Sequence, residues 1–127
     1  MAYAFTVAEP VTTTYLDQRV KKYVVTETGI TGATDEYTLS VPEIGRVVGI
    51  TAVGTFTAGT ATSIDPRLGE TSGGVEVWEN GTAAASVRDR TVRPYVATAN
   101  ALYGRSGANG TITTGGVVTT VYIAVGP

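Results

Sequence analysis

The chain closes on Val117-Val118-Thr119-Thr120-Val121-Tyr122-Ile123-Ala124-Val125, and this stretch sets the reading of the whole. Val117, Val121, Ile123 and Val125 fall on one face of an extended strand while Thr120 and Tyr122 fall on the other. That period of two belongs to a strand with one buried face and not to a helix. Its β-branched residues suit a pleated surface. The segment is predicted to be a central, well-ordered strand.

Working outward, the next clear signal is Val75 to Val87, where Asn80-Gly81 stands between Val75-Glu76-Val77-Trp78 and the small residues Ala83, Ala84 and Ala85. Asn and Gly tolerate the positive φ of a type I′ turn, so the spacing predicts a hairpin with Trp78 lying across the alanines. A second Asn-Gly, Asn109-Gly110, separates Tyr103 from the threonines 111 to 114. Asp65-Pro66 has the residues of a type I turn at its first two positions, closed by Gly69. Glu36 to Val41 alternates strictly, with Tyr37, Leu39 and Val41 as the buried set. Ser40 to Gly45 suits one capped helical turn with Gly45 as its stop. Arg46 to Phe56 reads as a long apolar strand in which Gly49 and Gly54 mark a bulge or a close backbone contact. Ala58 to Thr62 is a small, low-complexity patch fit for a loop or a lightly packed strand.

Tyr15 to Thr28 admits two readings. Leu16, Val20, Tyr23 and Val24 share a helical face with Thr14 and Asp17 near a cap, but Val20 to Thr26 is dense in β-branched residues, and the strand reading is favoured. About eight short strands between Gly, Pro and Asn turns give the expected fold class: all-β, an antiparallel sandwich or barrel, jelly-roll-like topology included. Residues 1–14 are expected to form an extended N-terminal arm and 15–127 a single β domain. In the arm, Tyr3, Phe5 and Val7 alternate with small residues and are followed by Pro10 and a threonine run. A strand of that kind needs a partner, and the lack of a tight-turn signal between Val7 and Tyr15 directs the search to a distant strand or a neighbouring subunit.

Composition limits the chemistry. The 127 residues contain no cysteine and no histidine, carry a formal net charge of −2 and are only 16% charged, while threonine is the commonest residue and glycine occupies 16 positions. Thiol catalysis, cysteine zinc sites and histidine acid–base chemistry are excluded. Low charge with abundant Thr, Val and Gly suits a surface covered by hydroxyls or by neighbouring subunits. No apolar run reaches the length of a membrane span and Met1 to Pro10 lacks the pattern of a leader, so neither a membrane partner nor export is expected.

The remaining constellations each have a plain structural alternative. Asp65 with Glu70, or Glu76 with Glu79, could form a carboxylate pair for glycoside hydrolysis, though each acid also suits a turn or a solvated hairpin. Arg88, Arg90 and Arg93 sit in one short segment, and on a strand Arg88 and Arg90 would share a face able to clamp a carboxylate or phosphate. The net acidic chain and the intervening Asp89 favour an ion-pair cluster or a subunit contact over nucleic acid. Asp35, Glu36 and Asp65 lack the spacing of a calcium loop, and no cofactor is expected. Both Asn-Gly-Thr triplets match a glycosylation sequon already explained as turn chemistry. The seven tyrosines and Trp78 are spread along the chain, which favours packing over a sugar platform.

The threonine-rich start, the strand Arg19-Val20-Lys21-Lys22-Tyr23-Val24-Val25, the turn Ile64-Asp65-Pro66-Arg67-Leu68-Gly69 and the hydrophobic finish resemble small virion structural proteins of tailed bacteriophages, nearest to head decoration or cement proteins. The resemblance is one of style and pattern over most of the chain. It implies a non-enzymatic, β-rich, multicopy subunit of the virion, made in the host cytoplasm, that bridges the major capsid protein or other virion subunits and forms homo-oligomers. Tyr3, Phe5, Val7, Arg88, Arg90 and Arg93 are the expected interface residues. The alternatives are a head–tail joining, tail or fibre-base subunit, or a carbohydrate-binding or adhesin module.

Overall fold

The computed structural model describes residues 2–15, 18–41, 45–75, 77–79, 81, 86–89, 96–97 and 101–125. They form strands β1 (Ala4–Val7), β2 (Val11–Tyr15), β3 (Gln18–Thr28), β4 (Tyr37–Ser40), β5 (Gly45–Gly59), β6 (Arg67–Gly69), β7 (Trp78–Glu79), β8 (Ser86–Asp89), β9 (Val96–Ala97), β10 (Ala101–Arg105) and β11 (Ile112–Val125), with no helix among the described residues. Every pairing between these strands is antiparallel. The protein is all-β.

The larger sheet is ordered β1-β3-β11-β5-β8, with β2 also on β3 and β9 also on β5. β11 is its centre, flanked along its length by β3 and β5. Val117, Val121, Ile123 and Val125 are buried, and Thr120 and Tyr122 lie on the other face, half-buried. The smaller sheet is ordered β4-β10-β6-β7. Buried side chains of both sheets, among them Tyr23, Val25, Ile50 and Val121 from the larger and Leu39, Leu68, Trp78 and Leu102 from the smaller, belong to one hydrophobic core.

Tyr37 joins the sheets. Its ring lies over Gly104, its cross-strand neighbour, where a Cβ would overlap the ring. Its hydroxyl lies near Thr119 on β11. Tyr37, Leu39 and Val41 are buried and Thr38 and Ser40 exposed, as the alternation predicts.

Of Tyr15 to Thr28, the described residues Tyr15 and 18–28 are strand, with Tyr15 opposite Gln18 so that β2 and β3 form a local antiparallel pair. In β5 the register slips between Val47 and Gly49, a bulge beside one of the two glycines expected to mark it, whereas Gly54 pairs regularly with Val117. The low-complexity patch is the end of β5 followed by a loop, and the loop's Ala61 is buried.

Several local expectations are corrected. The Asn80-Gly81 hairpin falls largely on residues outside the described ones; of its two ends, Trp78 in β7 pairs with Leu68 of β6, and β8 pairs with β5 in the other sheet. Gly81 does have positive φ, 85°, but it lies on the passage from one sheet to the other. The physical reason is burial, because β7 beside β6 sets Trp78 and Val77 in the shared core. Asn80 and alanines 83–85 lie outside the described residues. Asp65-Pro66 is not a turn but runs beside the 106–107 segment, with the Asp65 amide donating to the carbonyls of Ser106 and Gly107. At Asn109 the side chain is a clamp: its Oδ1 accepts from the amides of Thr62 and Ser63 and its Nδ2 donates to Thr62 Oγ1. Gly45 starts β5, and residues 42–44, where the helical turn was expected, lie outside the described residues.

The N-terminal arm is also corrected in its partner. Residues 4–7 pair with Thr28 to Val25 and residues 11–15 with Lys22 to Gln18, so the arm finds its ladder on β3 of its own chain. The tight turn falls after Tyr15, outside the window between Val7 and Tyr15.

Candidate functional site

The outer face of the larger sheet is built by the residues that alternate with the core set. Register places Thr26, Val118 and Val53 in one cross-strand row, Val24, Thr120 and Thr51 in the next, and Lys22, Tyr122 and Gly49 in a third. Val53 is 49% and Val118 40% exposed, so apolar surface is displayed at the centre of a sheet face and not merely at its rim. Two hollows open here. One of about 300 Å³ is lined by Val11, Thr13, Val20, Lys22 and Tyr122. The other, about 280 Å³, lies where Thr26 and Thr28 face Thr55, Gly115 and Val118. Lys22, Arg46, whose partner is Ala124, and Arg88, whose partner is Thr51, are the charged residues at outer-face register positions of the larger sheet among the described strands, and all three are positive.

The N-terminal edge adjoins this face. Phe5 and Val7 pair with Glu27 and Val25, which puts them on the core-facing side of the sheet but beyond the cover of the smaller sheet, and both remain exposed. Phe5 stands between two aromatic rings, 6.2 Å from Tyr3 and 6.3 Å from Tyr37, both tilted, in the range of edge-to-face contact. Gly29, with φ 61° and its Cα against the Ala2 carbonyl, lets the chain start pass closely over the end of β3.

Beneath this edge lies a buried carboxyl. Glu27 is fully buried at an inward position of β3, and its Oε2 accepts a 2.7 Å hydrogen bond from the Tyr3 hydroxyl. Burial pushes its pKa up to about 7; Tyr3 opposes the rise, Asp35 adds to it through its charge, and the Ser106 hydroxyl opposes it again. Although Ser106 is near enough to favour the charged form, neither Glu27 Oε1 nor Ser106 Oγ completes a hydrogen bond. Tyr3 and Tyr37 are both pushed above the ordinary phenol range, first by burial and then by the charge of Glu27. The sequence carried one signal for this group, which is a carboxylate in the apolar phase of Tyr23-Val24-Val25-Thr26-Glu27. Its partners, distant in sequence, carried none.

The other expected site residues fall as follows. Tyr3, Phe5 and Val7 are brought together at the edge. Arg88 lies in β8 opposite Thr51, whereas Arg90 and Arg93 lie outside the described residues. Asp65 binds Arg67 at 3.2 Å, and Arg67 also reaches Glu79 at 3.8 Å, so two of the candidate acids serve one partly exposed ion cluster. Asp35 is occupied by Thr31 and the Gly32 amide. Glu36 is occupied by Ser72, the Gly73 amide and Arg105. No three carboxylates converge on a metal position among the described residues. Tyr23, Tyr37 and Trp78 are buried, while Tyr3, Tyr103 and Tyr122 are half-buried in different parts of the two sheets. Comparison with protein-family models, with curated proteins and with solved structures gave no match for this chain.

Proposed function

We propose that this chain is a non-enzymatic structural subunit of a virion, a capsid decoration or cement protein that lies on the major capsid protein and bridges neighbouring capsid subunits. The observation that carries the reading is the outer face of the larger sheet, where exposed Val53 and Val118 sit in adjacent rows with Val24, Thr26, Thr51 and Thr120. A face that displays apolar side chains at its centre, with its cations Lys22, Arg46 and Arg88 around them and no described acid, is suited to being covered by another protein. The exposed Val11, opposite Lys22 on the same face, would extend the contact. Val53→Lys and Val118→Lys place charge at the centre of the face without touching the core, so the folded chain should persist while attachment is lost.

The test is the protein composition of purified particles from a host that makes this chain. A decoration role requires many copies per particle, lost together in the Val53→Lys, Val118→Lys double variant. A low copy number confined to one vertex would assign the chain to a joining or tail position instead. Absence from particles would sink the virion reading.

A further inference from the structure

We propose that Glu27 is a proton-operated latch for the N-terminal strand: the protonated carboxyl holds β1 closed on β3, and the carboxylate favours release of residues 2–7 while the rest of the fold stays in place. The inference concerns regulation within the chain and does not rest on the virion reading.

The latch is defined by what surrounds the carboxyl. Tyr3 approaches from the start of β1, Asp35 from the 31–36 turn, Tyr37 from β4 and Ser106 from the end of β10. None of these is a cation, and the nearest formal charge named, Asp35, is of the same sign. A buried carboxylate in such a setting must regain water or keep its proton. Oε1, buried and without a partner, is the atom on which the proton is accommodated next to Ser106 Oγ.

The route by which water arrives is set by which cover is lightest. Tyr37 is buried and lies over Gly104, and Ser106 follows a strand whose Leu102 is fully buried, so moving either one opens the core. β1 differs, because all four of its residues are exposed and it pairs with β3 alone. Beyond its ladder, the ties are Tyr3 Oη on Glu27 itself and the Phe5 ring against Tyr37. Pro10 separates β1 from β2, and because proline cannot donate to a ladder, loss of the first four pairs need not propagate into the second five. Release of residues 2–7 would thus hydrate Glu27 and uncover the edge of β3 from Val25 to Thr28, giving up the partial burial of Tyr3, Phe5 and Val7 but none of the fully buried core residues.

The size of the effect follows from linkage. A carboxyl that ionises near 4.5 when free and near 7 when enclosed biases the closed form by at most about 300-fold, of which about tenfold falls between pH 6 and pH 8.5. The experiment is nuclear magnetic resonance of the full chain, following the Glu27 side-chain carbonyl from pH 5 to 9 together with amide protection at residues 4–7, corrected for intrinsic exchange. Expected are a Glu27 midpoint near neutrality, the same midpoint in the residue 4–7 signals, and about a tenfold fall in their protection between pH 6 and 8.5 with Val121 and Ile123 unchanged. Glu27→Gln should remove the pH dependence at residues 4–7. If that variant does not fold, the wild-type titration decides by itself. Glu27 titrating in the ordinary carboxylate range, residues 4–7 that ignore its midpoint, or loss of protection at Val121 and Ile123 in step with them would overturn the latch.

Discussion

Gly104 and Tyr37 show how one side chain's size is set by its neighbour across a strand pair. The Tyr37 ring occupies the space a Cβ at 104 would take, and it cannot swing away because it is buried in the core. Gly104→Ala is therefore expected to cost about 1–3 kcal/mol, the usual range for overpacking a close-packed core. Gly32→Ala, with ordinary φ and open space around its Cβ, should change stability by less than about 0.5 kcal/mol. Urea denaturation of the two variants checks the contrast. Two acids give opposite pH limbs. The folded chain holds the Glu27 proton more tightly than the unfolded chain, so that contribution is complete below about pH 4.5 and is lost as pH rises through about 7, by at most on the order of 3 kcal/mol. Burial by itself would raise Glu36 as well, but hydrogen bonds from Ser72, Gly73 and Arg105, with the Arg105 charge, outweigh it and hold its pKa below the ordinary value. Its contribution is therefore present at neutral pH and lost on acidification. Denaturation midpoints should fall on both sides of mildly acidic pH, and Glu27→Gln should flatten the alkaline limb while leaving the acid limb.

Among the elements, the loop after β5 illustrates how irregular backbone is fixed without a ladder. The Asn109 side chain satisfies the amides of Thr62 and Ser63, and the Thr60 and Thr111 hydroxyls are within hydrogen-bond distance of each other and of each other's amides. Asn109→Ala removes three hydrogen bonds at an exposed site where water can replace part of each, so the expected cost is about 1–2 kcal/mol. Faster amide exchange should be confined to residues 60–63, which hydrogen-exchange mass spectrometry can resolve. Spread of the effect into β11 would mean the loop supports the sheet more directly than these bonds suggest.

For the whole molecule, the two sheets share one core and meet where Tyr37 lies near Thr119, so neither has a separate apolar interior to retain. Unfolding is expected to be a single transition. Trp78 sits in the smaller sheet and the greater part of the strand content in the larger. Tryptophan fluorescence and far-ultraviolet circular dichroism should then report the same denaturation midpoint. Separate midpoints would mean that the sheets unfold independently.

Much of the strand pattern was legible because strand periodicity is local: Tyr37-Leu39-Val41 and Val117-Val121-Ile123-Val125 each announce a buried face within a few residues, and β-branched density settled Tyr15 to Thr28 as strand. The turns were legible only where local conformation decides them. Gly81 has the positive φ its neighbours suggested, whereas the pairing of Trp78 with Leu68 joins residues ten apart and had no local signal. The arm shows the same limit, since Tyr3, Phe5 and Val7 declared a strand but its partner lay about twenty residues on, in a register only the folded sheet defines. The candidate site was half legible. Phe5 and Val7 could be named from their alternation, whereas Glu27 acquires its chemistry from Tyr3, Asp35 and Ser106, which converge in space from separate parts of the chain. Sequence determined where this chain is extended and which side of many strands is apolar, because those follow from contacts between near neighbours. Tertiary structure alone decided which strands meet, which apolar faces stay uncovered and where a carboxyl loses its water, because each depends on burial by residues remote along the chain.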